Sequence, residues 1–187
     1  LLILLMAFYN RIDSIMIERL LPNGQTDAGI YAQGFRVLDA ATMFAYLFAG
    51  LLLPIFSFMI KTKENVGQIV RLAVMLLLVP AFILSLGCFF FRFEIIDLLY
   101  HHHDRYSGTI FGILILGFVP ISATYIFGTL LTANGSLKQL NIMAFTAMVL
   151  NIVLNLILIP RMQATGAAIV SLSTQSFAAL VQIFIAI

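Results

Sequence analysis

An all-α, polytopic membrane protein is the fold class this sequence predicts, and three observations predict it. Hydrophobic residues make up 62% of the 187 residues and charged residues only 10%, where soluble domains carry about 25% charge. Mean hydropathy is +1.08. The apolar residues form six runs, each of the about 20 residues that a helix needs to cross a bilayer. Such a chain has no surface to offer water. Lipid demands that every backbone group be paired within the protein, and no alternation of apolar and polar residues supports a barrel, so helices are the remaining solution.

The spans fall at 1–21, 35–60, 69–91, 109–133, 139–160 and 165–187, and turn chemistry separates them. Pro22-Asn23-Gly24 ends the first, the run from Lys61 to Asn65 the second, and Asn134-Gly135-Ser136 the fourth. Pro160 closes the fifth. Connections this short leave no room for a soluble domain. Lys61, Lys63, Arg71 and Lys138 cluster at two of the turns, which places those turns in the cytoplasm by the positive-inside rule. The chain opens and closes inside apolar runs, with no initiator methionine and no signal peptide, and reads as a single six-helix lobe cut from a longer chain. A net charge of +2 gives no reason to invoke nucleic acid, and the lone Cys88 lies in an apolar run as an inert buried thiol.

Charge inside the first span carries the functional argument. Arg11 and Asp13 sit mid-span, with Asn10 and Ser14 beside them and Glu18 a turn later. Arg or Asp at a helix centre costs about 2.5–3.5 kcal/mol, while each Leu, Ile or Phe returns about 0.3–0.6 kcal/mol. The eleven Leu, Ile and Phe residues of 1–21 barely offset the two charges. The span therefore needs a bundle or a wet cavity around its polar face. At 100° per residue Tyr9, Asn10, Arg11, Asp13, Ser14 and Glu18 share one broad sector, opposite Leu5, Phe8, Ile12, Ile15 and Met16. Arg11 and Asp13 point to different parts of that sector and each needs a partner on another helix or a ligand. The second span repeats the theme with Arg36 and Asp39, followed by Thr42 and Tyr46 at helical spacing. Intramembrane ionisable residues are candidate functional groups; interhelical ion pairs and snorkelling are the structural alternatives. Pro120 interrupts the fourth span and suits either a moving element or simple packing. Asn151 and Asn155 lie one turn apart and predict interhelical hydrogen bonds. The small residues of the sixth span, Gly166 to Ser176, predict close helix contact.

Nothing points to catalysis. The triplet His101, His102, His103 is followed by Asp104, but three consecutive helical positions diverge by about 100° each and cannot converge on one metal. No second His or Cys cluster completes a site, so a solvated turn is the expectation. No catalytic triad, phosphate-binding glycine loop or cysteine pair appears elsewhere.

The series FYNRIDSIMI, GIYAQGFRVLDA, LLLPIFSF, EIIDLLY, GTLLTANGSLKQLNIM, NIVLNLILIP and GAAIVSL covers nearly the whole chain. In this order it resembles the second half of bacterial Wzx-type polysaccharide flippases, in the MOP superfamily that also holds the MATE exporters and MurJ-type flippases. The resemblance implies two six-helix lobes around a central cavity, with this chain as the C-terminal lobe and the N-terminal half as its partner. It implies export of undecaprenyl-diphosphate-linked oligosaccharide across the bacterial cytoplasmic membrane by alternating access, without cofactor but with coupling to a Na+ or H+ gradient as an option. Cavity residues would be Arg11, Asp13, Arg36 and Asp39, with Asn10 and Ser14, and Pro120 would serve as a hinge. A guanidinium fork matches a diphosphate, which agrees with the two arginines. A cation-coupled exporter, a membrane enzyme of polysaccharide assembly and a membrane scaffold are the competing readings.

Overall fold

The computed structural model describes residues 12–100 and 105–186. All regular structure among them is helical, and four helices are long and apolar enough to cross a membrane. The all-α membrane fold follows directly. The six expected spans map onto these four unevenly: of the first only residues 12–21 are described, with 12–20 helical (α1), and the fifth and sixth fall within a single helix.

Gly24 sets the entry into α2 (Gly24–Lys61). A side chain there would overlap the Glu18 backbone, so only glycine lets α2 fold back this closely on α1. The Asn23 carbonyl accepts from the amides of Thr26 and Asp27, and Asp27 complements the positive end of the helix dipole. α2 starts eleven residues before the expected Phe35, since hydropathy marks immersion in lipid and not helicity. Its 38 residues rise about 57 Å in all, roughly twice the apolar thickness of a bilayer.

Two turns share one C-terminal design. After α2, the Glu64 amide reaches back to the Met59 carbonyl and Lys63 to Ile60, with Lys63 at φ 58°. After α6, Ser136 reaches Leu131 and Gly135 reaches Thr132, with Gly135 at φ 76°. Both are Schellman motifs, whose left-handed position favours glycine. One has its glycine and the other carries a lysine.

Prolines accompany irregularities in three of the helices. In α3 (Gly67–Phe90), Val74–Leu78 forms a π-helical turn just ahead of Pro80. Proline offers no amide to the carbonyl four residues earlier, and a wider i→i+5 register lets the residue after the proline serve it. A short helix, α4 (Arg92–Tyr100), occupies what hydropathy leaves as a connection. The fourth span is two helices, α5 (Arg105–Leu116) and α6 (Phe118–Ala133), broken at Gly117. Pro120 lies in the first turn of α6, so the Leu116 carbonyl loses its usual donor there. The neighbouring Ile115 carbonyl accepts from the buried Ser85 hydroxyl of α3 at 3.0 Å. In α7 (Leu137–Ala186) the break comes at Gln163 (φ 54°, ψ −142°) and not at the expected Pro160. Helical bonding continues past the proline, and the Ala164 amide that begins the second limb donates to the Tyr106 hydroxyl at 3.0 Å.

The α5–α6 pair is the hub. It packs against α2, α3 and α7, and 56% of its most apolar stretch is buried, against 22% in α2 and α3. Phe44, Phe58, Ile83, Leu98 and Phe184 stand outward and exposed, a surface only lipid or another apolar partner suits.

Candidate functional site

Two neighbouring features form the site. The first is a buried polar cluster around Asp13 of α1, which is 2% exposed. The Tyr31 hydroxyl of α2 donates to Asp13 Oδ2 at 2.9 Å, and Asn155 Nδ2 of α7 donates to Asp13 Oδ1 at 2.6 Å. Asn155 Nδ2 also reaches Asn151 Oδ1 at 3.0 Å. Three helices thus meet on one carboxylate whose described partners are uncharged. Asn155 Oδ1, on the same amide whose nitrogen faces the carboxylate, is buried without a hydrogen-bond partner among the described residues.

The register explains the meeting. Asp13 and Ile17 are one turn apart on the inner face of α1, and both are buried. Tyr31, Gly34 and Leu38 form the matching stripe of α2. Gly34 brings that stripe into contact with Phe111 and Leu114, where a methyl group would sit 3.2 Å from each. Asn151 and Asn155 repeat at one-turn spacing on α7, as the sequence predicts.

The second feature is a cavity of about 320 Å³ between α2, α6 and both limbs of α7. Phe35, Leu38, Leu140 and Met143 give it apolar walls, and Asp39, Thr124, Thr129, Thr132, Gln175 and Gln182 its polar groups. The hydroxyls of Thr129 and Thr132 donate to the carbonyls of Tyr125 and Gly128, which leaves their oxygens as acceptors. Tyr125 lines the cavity and meets Tyr46 edge to face, with ring centroids 6.2 Å apart. Phe35 and Ala147 line it too, one turn from Tyr31 and Asn151 respectively. The cavity therefore ends about one helical turn, roughly 6 Å, from the Asp13 cluster on two walls.

Among the predicted site residues, Asp13 is buried in the cluster and Asp39 lines the cavity. Ser14 is half-buried, and Arg36 is exposed outside the cavity lining. Glu18, expected on the inner sector, is exposed as well, because α1 ends two residues later. Asn10 and Arg11 lie outside the described residues, as do His101, His102, His103 and Asp104. The break beside Pro120 falls at Gly117, against Gln175. Sequence reasoning missed Tyr31 and Gln182. The signal for Gln182 was available: it is a lone amide in the apolar run LVQIFIAI.

A multi-pass helical bundle with a carboxylate buried at a three-helix junction, beside a part-polar cavity, is the architecture of a membrane transporter. The chain belongs to the MatE family, whose profile matches residues 1–157, and it is a transporter of the MOP superfamily. No curated protein matches the chain, and no solved structure does.

Proposed function

We propose that this chain is one lobe of an ion-coupled flippase that moves a lipid-linked oligosaccharide across the bacterial cytoplasmic membrane, with Asp13 as the coupling group. The observation that carries the coupling is the Asp13 carboxylate held by neutral donors from two other helices. A proton or a Na+ ion at this point exchanges one set of interhelical bonds for another. Coupling requires such differential contacts between states. The orphaned Asn155 Oδ1 supports a cation, since it adds a neutral oxygen to the carboxylate and the Asn151 carbonyl oxygen. The lipid-linked glycan rests on the ordered resemblance to polysaccharide flippases and on a cavity with apolar walls whose described polar groups are neutral apart from the Asp39 carboxylate. A MATE-like exporter of organic cations is the second reading, favoured by the carboxylate of Asp39 at the cavity.

The test uses full-length protein in liposomes under imposed Na+ or proton gradients, following polyprenyl-diphosphate-linked oligosaccharide. Asp13→Asn is the informative variant. Its side chain keeps the size of Asp, and Asn155 can turn its free oxygen toward the new amide, so the bundle holds. Gradient-driven transport should fall at least about tenfold while gradient-independent exchange survives. Undiminished gradient dependence in Asp13→Asn would exclude Asp13 as the coupling group. Efflux of small cations with no movement of lipid-linked sugar would replace the flippase with the exporter.

A further inference from the structure

We propose that the cavity between α2, α6 and α7 is a subsite for a neutral, polyhydroxylated ring, a sugar unit, held within this one lobe and apart from any phosphate. The inference rests on the oligosaccharide reading and deepens it. It starts from Gln182, which is 0% exposed and lines the cavity, with neither Nε2 nor Oε1 hydrogen-bonded to any described residue. Gln175, two turns earlier on the same face, lines the cavity with a buried Oε1 that also lacks a partner. A buried polar group left unmade costs about 1–3 kcal/mol. Two amides in this condition against one cavity are groups that a ligand completes once the side chains turn toward it.

The inventory of unmet groups selects the ligand class. Gln182 needs both a donor and an acceptor, and Gln175 needs a donor. The oxygens of Thr129 and Thr132 accept, because their protons already go to their own helix. An amine or quaternary ammonium has no acceptor for Gln182 Nε2. A diphosphate diester has no proton to give the oxygens, and among the described residues lining the cavity no lysine or arginine balances its charge, while the Asp39 carboxylate opposes it. A hydroxyl both donates and accepts, and adjacent hydroxyls match the two ends of a side-chain amide. The rings of Phe35 and Tyr125 give the C–H face of a sugar an apolar wall. A volume of about 320 Å³ is at the small end for ligand sites, which suits one or two rings and not a long glycan.

The geometry also says why Gly128 is a glycine. A methyl group there would lie 3.0 Å from Gln182 Oε1 and press the amide out of place.

The test is saturation-transfer NMR on the full-length protein in lipid nanodiscs, with maltotriose, tetraethylammonium and pyrophosphate as separate probes. Wild type should transfer saturation to maltotriose and give little for the other two. Gln182→Leu, which replaces the orphaned amide by an apolar group of similar volume, should weaken maltotriose binding at least about tenfold without lowering the melting temperature. Thr132→Val provides the same reading should Gln182→Leu fail to fold. Competition by the polyprenyl-diphosphate-linked form against maltotriose distinguishes a lipid-borne sugar from a free one. No maltotriose signal in wild type, equal binding in both variants, or a tetraethylammonium signal that Gln182→Leu abolishes would each overturn the subsite. Transport of the lipid-linked form with no cavity binding overturns the subsite alone. Cavity binding without such transport supports the subsite and overturns the flippase reading.

Discussion

At the scale of single residues, Lys63 and Gln163 carry side chains at positive φ, where glycine is favoured. Lys63 occupies the left-handed position of a Schellman turn whose counterpart is Gly135. Lys63→Gly removes the Cβ penalty and should stabilise the fold by a few tenths to about 1 kcal/mol, read as a raised melting temperature in detergent. Gly135→Ala should cost about as much in the other direction. A fall in stability for Lys63→Gly would show that the lysine contributes more at the headgroups than its backbone costs. Asp13 is a residue of a different kind. Asp13→Leu leaves the Tyr31 hydroxyl and the Asn155 amide without the acceptor both now share. A loss of about 1–3 kcal/mol should appear as a lower melting temperature, below that of Asp13→Asn. The sequence announced Asp13 by its charge in an apolar run. Tyr31 was silent, because a tyrosine four residues before a span reads as an interfacial ring and nothing in its neighbours reveals a carboxylate on another helix.

At the scale of elements, the prolines were legible and the breaks were not. Pro80, Pro120 and Pro160 are plain in the sequence. The irregularities they accompany fall at Val74–Leu78, Gly117 and Gln163. A proline removes a bond from the carbonyl four residues before it, so α3 and the α5–α6 junction deform upstream, where the sequence carries no mark. At Gln163 the deformation is downstream, and close packing decides it. A Cβ on Gly166 would stand 2.6 Å from the Leu158 carbonyl oxygen, so the two limbs of α7 can approach this way only at a glycine. Gly166→Ala should therefore cost about 1–3 kcal/mol by overpacking. Gly117 holds the same relation to Gln175, whose Oε1 would lie 2.8 Å from an added methyl. If Gly117→Ala leaves both the melting temperature and transport unchanged, the junction has slack, and a hinge role for the Pro120 region loses its structural basis.

At the scale of the whole molecule, composition alone was enough for the class, since 10% charge and six apolar runs admit little but a helical membrane bundle. The interior was less legible. Hydropathy does not distinguish a helix face turned to lipid from one turned to protein, so the hub role of α5–α6 and the cavity beside it emerge only from packing. The length of α2 has one more consequence. Tyr31 lies seven residues, about 10 Å, from the start of a helix about 57 Å long. How far that helix leans sets the depth of the Asp13–Tyr31 bond below the headgroups, and bilayer thickness sets the lean. A thick bilayer should let α2 stand upright and sink the carboxylate; a thin one should lay the helix over and bring the carboxylate toward water. Ion-driven transport should then vary with acyl-chain length in synthetic vesicles, and Asp13→Asn should flatten that variation. The membrane itself would act as a tuning element, with α2 as the lever through which it acts.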